Sequence, residues 1–160
     1  MNLNKEKTDK KYSDVFLTTT DTVVGIGVPV KANKLELLYE LKNRDLSKKI
    51  IILVGSIEQA REFKEWNSKA DEFAQKYWPG QVSLIVNNQG FRMPNQKGLL
   101  ELLEKIGPCF VTSANLSGQA PLSIEEAQKV FSKVKKVYNF GVGTGTPSKI
   151  IRIEDEKELR

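Results

Sequence analysis

The chain has 160 residues, 39% of them hydrophobic and 28% charged, with a formal net charge of +5. That length fits one domain with a core of its own. One cysteine and no histidine exclude an intramolecular disulfide, a histidine-based triad and a histidine-ligated metal site. No run approaches the roughly 18 apolar residues a membrane span needs, so no membrane association is expected. The opening MNLNKEKTDKK lacks the apolar segment of a signal peptide. Residues 1–12 are expected to form a polar, flexible tail ahead of one domain over residues 13–160, in a reducing, cytoplasmic setting. The positive balance permits a polyanionic partner such as a nucleotide or RNA, but lysine-rich proteins commonly carry such a charge without one.

Strands and helices alternate along the chain. Residues 14–17 (DVFL) read as a strand. Residues 34–41 carry leucines at 35, 37, 38 and 41 and read as a helix. Residues 50–54 (IIILV) form an apolar run stopped by Gly55, which suits a strand buried on both faces. Ser56 and Gln59 have the spacing of a capping box opening a further helix. A helix over residues 69–77 ends at Pro79-Gly80, residues 82–86 form a strand, and a helix over 97–106 stops at Gly107-Pro108. Residues 109–111 form a strand. Ser123 and Glu126 make a second capping box, for a helix reaching about Val134. Residues 137–140 and 149–153 complete the strands. The pattern predicts an α/β domain of the α+β type, a single twisted mixed sheet with helices on its faces.

Four polar segments follow these elements, where an α/β fold places its sites. They are residues 18–27 (TTTDTVVGIG), the Lys42 and Arg44 pair at a helix end, residues 112–118 (TSANLSG), and residues 143–149 (GTGTPSK). Each alone has a structural explanation: threonines form turns, and cations offset a helix dipole. No phosphate-loop signature is present, and Gly25-Ile26-Gly27 lacks the third glycine of a dinucleotide fingerprint. Together the segments offer anion binders in Lys42 and Arg44, and hydrogen-bonding groups in Ser113, Asn115 and Ser148. Cys109 lies in an apolar strand and reads as core. Asp21 is the one candidate general base. Such a set suits phosphoryl or nucleotidyl transfer, which runs on positioning and charge stabilisation.

Six segments also resemble, in order and spacing, those of the YrdC-type threonylcarbamoyl-AMP synthases. Residues 19–27 (TTDTVVGIG) look like P-T-D-T-V-Y-G-L-G, and Lys42-Asn43-Arg44 looks like K-x-R. Residues 78–84 (WPGQVSL) resemble W-P-G-P-V-T-L, and residues 91–94 (FRMP) resemble V-R-x-P. Residues 112–118 match T-S-A-N-L-S-G without change, and residues 146–150 (TPSKI) are similar to the final P-S-x-I element. The resemblance covers the chain from about Asp14 to Ile153. It implies a YrdC-like fold with a concave basic ligand face. The implied activity is that of a nucleotidyltransferase joining L-threonine, bicarbonate and ATP into threonylcarbamoyl-AMP and pyrophosphate. Partner transferases then carry the threonylcarbamoyl group to an adenosine of tRNA. Residue by residue, it implies that Lys42, Arg44, Ser113 and Asn115 bind ATP, with Lys42 and Arg44 catalytic. Thr22, Arg92 and Ser148 would hold threonine, with Arg92 facing its carboxylate. Mg²⁺ would ride on ATP, with no metal cage of side chains. Both site cations are expected to face solvent in the empty site.

Departures from the family pattern are Thr19 for proline, Val24 for tyrosine, and Asp45 for the proline after K-x-R, which sets an anion beside the expected ATP cations. Leu53 stands near the position of a histidine found in many relatives, and Lys48 and Lys49 occupy a stretch that is often Asn-Pro or Lys-Gly. The chain ends soon after Ile153, so neither the linker nor the second domain of longer relatives is expected. The rival reading is a non-catalytic paralogue that uses the basic face on tRNA, rRNA or other double-stranded RNA. A carbamoyl-transferring relative acting on another substrate is a third.

Overall fold

Short strands, several buried at consecutive positions, set the architecture. The computed structural model describes residues 10–160. Its strands are β1 (Phe16–Thr18), β2 (Gly25–Pro29), β3 (Ile51–Leu53), β4 (Val82–Val86), β5 (Gln89–Arg92), β6 (Cys109–Ser113), β7 (Lys136–Tyr138), β8 (Lys149–Arg152) and β9 (Lys157–Glu158). Among the described residues these form one sheet in the order β7-β1-β2-β6-β3-β5-β4-β8-β9. The pairs β1–β7, β3–β5 and β4–β8 are parallel and the others antiparallel, so the sheet is mixed. The α-helices bounded within the described residues are α1 (Glu36–Lys42), α2 (Ile57–Arg61), α3 (Ser68–Tyr77), α4 (Lys97–Ile106) and α5 (Ile124–Val130), with a 3-10 turn at Val30–Ala32. None is long and apolar enough to cross a membrane.

Because side chains alternate across a strand, the two faces separate cleanly. Leu17, Ile26 and Val28 point to the face covered by α1 and α5, where they pack with Leu38 and Ala127. Ile52, Leu84, Val86, Phe91 and Ile151 point the same way, under α2 and α3. Their neighbours Phe16, Leu53, Cys109 and Val111 point to the other face and meet Leu99 and Leu103 of α4. Four helices thus cover one face, and α4 covers part of the other. The uncovered remainder of that second face is where a ligand has room.

Two strands, β2 and β5, are not among the strands expected from sequence, and both contain glycines. Both glycines of β2 are imposed by close packing. A Cβ on Gly25 would stand 2.6 Å from Val111 Cγ1, and one on Gly27 would stand 2.8 Å from Phe110 O. In β5, a Cβ on Gly90 would stand 2.5 Å from Ile51 Cγ2. Asn87 and Asn88, both at positive φ, close the β4–β5 hairpin, as the primed hairpin turns require. Hence only residues 19–24 of the first polar segment are loop.

Other bounds differ by small amounts. Ser56 Oγ accepts from Gln59 N, but the return bond of the expected capping box goes elsewhere: Gly55 N donates to Gln59 Oε1 at 2.7 Å. The Ser123–Glu126 box forms in full. The helix it opens ends at Val130 rather than Val134, because the chain turns at Phe131 (φ −107°, ψ 52°) to drop Phe131 and Val134 into the core. Residues 1–9 of the expected tail lie outside the described residues. Tyr12 is buried in the core, and Lys11 pairs with Glu40 at 2.8 Å, so packing begins ahead of residue 13.

Candidate active site

The uncovered face holds a cavity of about 370 Å³. Gly25 opens its floor by lacking a side chain. Along β4, β5 and β8 the residues alternating with the core are Ser83, Arg92 and Ile150, and all three line it. Arg44, Lys49, Arg92 and Arg160 contribute four cations to the lining, and no Asp or Glu is among the lining residues. One end is polar, with Thr22, Ser148 and Arg92. The floor beside it is apolar, with Ile51, Leu53 and Val111.

Six of the seven residues singled out from sequence line this cavity: Thr22, Arg44, Arg92, Ser113, Asn115 and Ser148. The seventh, Lys42, does not, and the expectation that it faces solvent is corrected. Lys42 is the last residue of α1 and is 1% exposed. Its Nζ donates to Thr112 Oγ1 at 3.0 Å, Ser113 Oγ at 3.4 Å and Asn115 Oδ1 at 3.4 Å. Ser113 Oγ donates in turn to Asn115 Oδ1 at 2.6 Å, and Asn115 Nδ2 donates to Gln119 O. Ser117 N donates to Lys42 O, which ties residues 112–118 to the end of α1. The TSANLSG segment, whose Thr112 and Ser113 extend β6 two residues past the expected strand end, is therefore built around a buried ammonium.

Arg44 is only partly exposed. Its Nε and Nη2 donate to the carbonyls of Lys48 and Lys49 at 3.0 and 2.9 Å, which fixes the guanidinium at the cavity wall. Asp45 is not among the lining residues. Its carboxylate accepts from Ser47 N at 2.9 Å, and that bond holds its carboxyl below the usual range. The anion therefore serves its own turn.

Burial, with Arg44 adding to it, pushes the Lys42 ammonium down from 10.5 to about 8. The folded protein disfavours the charged form, so between these two values the unfolded chain binds more protons. Stability then rises with pH across that window, and the burial penalty is fully present only below about 8. Relative to Lys42→Met, the wild type is expected to gain about 3 kcal/mol from the lower to the upper end of the window. Urea titrations of both proteins test this. Parallel pH curves would contradict it.

At the opposite end, Ser148 and Ser83 share a hydrogen bond of 2.8 Å, and both are buried. Arg160 donates from Nε to Ser148 O at 2.8 Å and from Nη2 to Ser148 Oγ at 3.3 Å. Burial, then the nearby Arg92, lowers the pKa of the Arg160 guanidinium. Arg160 and Ser83 went unassigned in sequence. Ser83 sits in the WPGQVSL segment that carries the resemblance, whereas Arg160 sits in no motif.

Asp21, the candidate base, is not free. Arg92 Nη1 donates to Asp21 Oδ1 at 2.7 Å, and the two side chains are 4% and 7% exposed. Arg92 Nη2 donates to Thr22 Oγ1 at 3.1 Å. The glycine-rich loop hangs from the same segment: Thr144 N and Gly145 N donate to the carbonyls of Asp21 and Thr22. Gly143 lies so close that a Cβ would collide with the carbonyl oxygens of Thr20 and Thr22. Gly143→Ala is therefore expected to lower stability by about 1–3 kcal/mol. A denaturation midpoint equal to the wild type would contradict that packing.

Comparison with known proteins gives the family and the fold. The Sua5/YciO/YrdC family model, described as telomere recombination, matches residues 13–160. The chain is 34% identical over 105 residues to Uncharacterized protein MG259 of Mycoplasma genitalium, covering 66% of this chain and 21% of that protein. It is 27% identical over 168 residues to the threonylcarbamoyl-AMP synthase of Buchnera aphidicola, covering 92% of this chain and 96% of that one. The crystal structure of P. abyssi Sua5 complexed with L-threonine superposes with a TM-score of 0.79 at 23% identity, over 99% of this chain and 54% of that chain. E. coli YciO superposes at 0.75 with 16% identity, over 99% and 89%. The chain thus spans about a fifth of the Mycoplasma relative and about half of Sua5. It belongs to the Sua5/YciO/YrdC family.

Proposed function

We propose that this member of the family is an L-threonylcarbamoyladenylate synthase, joining L-threonine, bicarbonate and ATP and releasing pyrophosphate. The observation that carries the reading is a cavity with four cationic side chains and no acidic side chain in its lining. Bicarbonate would give CO₂ by breaking a C–O bond and releasing hydroxide, and the threonine amine would attack that CO₂ carbon, lose a proton and give a carbamate. A carbamate oxygen would then attack the α-phosphorus while the bond to the bridging oxygen of pyrophosphate breaks. Both reactants are anions, so the step needs cations between them and shelter for a mixed anhydride that water destroys.

In this reading Arg44 and Lys49 line the phosphate path, and Arg160 braces Ser148 at the amino-acid end. Ser113 Oγ and the Asn115 amide, fixed by buried Lys42, orient the α-phosphate and the carbamate. Thr22, Arg92 and Ser148 hold the amino acid. Mg²⁺ brought with ATP would offset phosphate charge, and a lining of hydroxyls, an amide and cations fits an ion held by phosphate oxygens. The product would pass to transferases that modify a tRNA adenosine, in the cytoplasm. The name of the Buchnera relative supports the reading.

Pyrophosphate release from ATP, Mg²⁺, L-threonine and bicarbonate tests it. Release is expected to fall to background when either threonine or bicarbonate is omitted. Release independent of both would contradict the reading. No release, with tRNA binding retained, would favour the non-catalytic RNA-binding alternative.

A further inference from the structure

Asp21 sits where three segments of the amino-acid end meet. Oδ1 accepts from Arg92 Nη1 at 2.7 Å, and Oδ2 accepts from Asn95 N at 2.9 Å. Its backbone carbonyl accepts from Thr144 N at 3.0 Å. The carboxylate is thus fixed before it meets the guanidinium. Arg92 Nη1 also donates to Gly80 O at 3.2 Å, so both protons of Nη1 are committed. One proton of Nη2 goes to Thr22 Oγ1, which is itself held by Thr20 Oγ1 at 3.1 Å. What remains is Nε–H and the second Nη2 proton, for which no acceptor is recorded among the described residues.

We propose that Asp21 is a positioning residue: by occupying the Nη1 end of Arg92, it presents the Nε–Nη2 edge as a fork for the substrate carboxylate. Such a fork matches the two oxygens of a carboxylate, a match lost if the guanidinium rotates. Asp21 also offsets the charge of an arginine that is 4% exposed and would otherwise lie buried and unpaired beside Arg160. Asp21 does not touch the amino acid in this arrangement. It acts through Arg92, and the inference rests on the synthase reading of the cavity.

The test is a comparison of Asp21→Ala and Asp21→Asn with the wild type. In Asp21→Ala the KM for L-threonine is expected to rise about tenfold or more, while kcat at saturating threonine changes much less. ATP binding measured without threonine is expected to stay at the wild-type value. L-threoninamide, which lacks the carboxylate, is expected to react equally poorly with both proteins. Asp21→Asn keeps an acceptor for Arg92 but cannot also accept from Asn95 N, so a rise of about threefold is expected. It serves as the test if the alanine variant does not fold.

An unchanged threonine KM would overturn the inference, as would a parallel fall of kcat and ATP affinity. Calorimetry separates the two levels. A wild type that neither binds threonine nor turns over would overturn the synthase reading together with the inference. A wild type that binds threonine, with variants that match it, overturns only the role of Asp21.

Discussion

Lys42→Met is expected to reduce turnover by about a hundredfold or more while leaving the protein folded. The cause differs from the one the sequence suggests. Lys42 is not an exposed cation at the cavity mouth, since it is 1% exposed and its Nζ lies among Thr112, Ser113 and Asn115. Removing it takes away the donor that aims Ser113 and Asn115, together with a positive charge behind the reacting anions. Stability moves little for a physical reason. At neutral pH the buried ammonium carries a desolvation penalty, seen in its pKa of about 8, and its hydrogen bonds offset that penalty. Methionine keeps the stem and relieves the penalty, so a net change within about 2 kcal/mol is expected. Alanine would add a void to the same defect. Lys42→Arg is not expected to restore activity, because a guanidinium is larger and planar where a buried Nζ is held by Thr112, Ser113 and Asn115. Steady-state turnover with a urea titration of the same sample checks both halves. Near-wild-type turnover in Lys42→Met would remove the ammonium from the mechanism.

Arg44→Ala is expected to lose turnover on a similar scale, about a hundredfold, through weaker ATP binding, with an almost unchanged melting temperature. Among the described residues its guanidinium bonds the carbonyls of Lys48 and Lys49, at a partly exposed position. Those bonds stiffen a surface loop and add little to global stability. Their value is in holding a cation at the cavity wall. Arg44→Lys is expected to recover little, since an ammonium cannot span two carbonyls and still present a flat edge to a phosphate. Direct ATP titration of both variants is the check. Wild-type ATP affinity in Arg44→Ala would place the phosphates elsewhere.

These two side chains also mark what a sequence can disclose. The segments 42–44 and 112–118 were legible as site material because small polar residues after apolar strands stand out. That Lys42 is buried was not, since lysine is exposed by default and only the fold brings Thr112 to its Nζ, 70 positions away. The Asp21–Arg92 pair spans 71 positions and had no local signal, so Asp21 read as a possible base. Strand β4 and helix α4 were readable to the residue, because one is a short apolar run and the other has glycine-proline at its end. Strands β2 and β5 were hidden by Gly25, Gly27 and Gly90, whose missing side chains are demanded by Val111, Phe110 and Ile51 across the sheet. Glycine read locally says turn. Glycine read in three dimensions says close approach. The same substitution of contact for side chain makes Gly25 part of the cavity floor.

The measurement that bears most directly on the central claim follows the bicarbonate carbon. Carbon-labelled bicarbonate is supplied with ATP, Mg²⁺ and L-threonine, and the nucleotide product is isolated and analysed by mass spectrometry. The expected product contains AMP, threonine and the labelled carbon, formed with one pyrophosphate per molecule. An AMP adduct of threonine without label would mean that the cavity activates the amino acid's own carboxylate and would contradict the account.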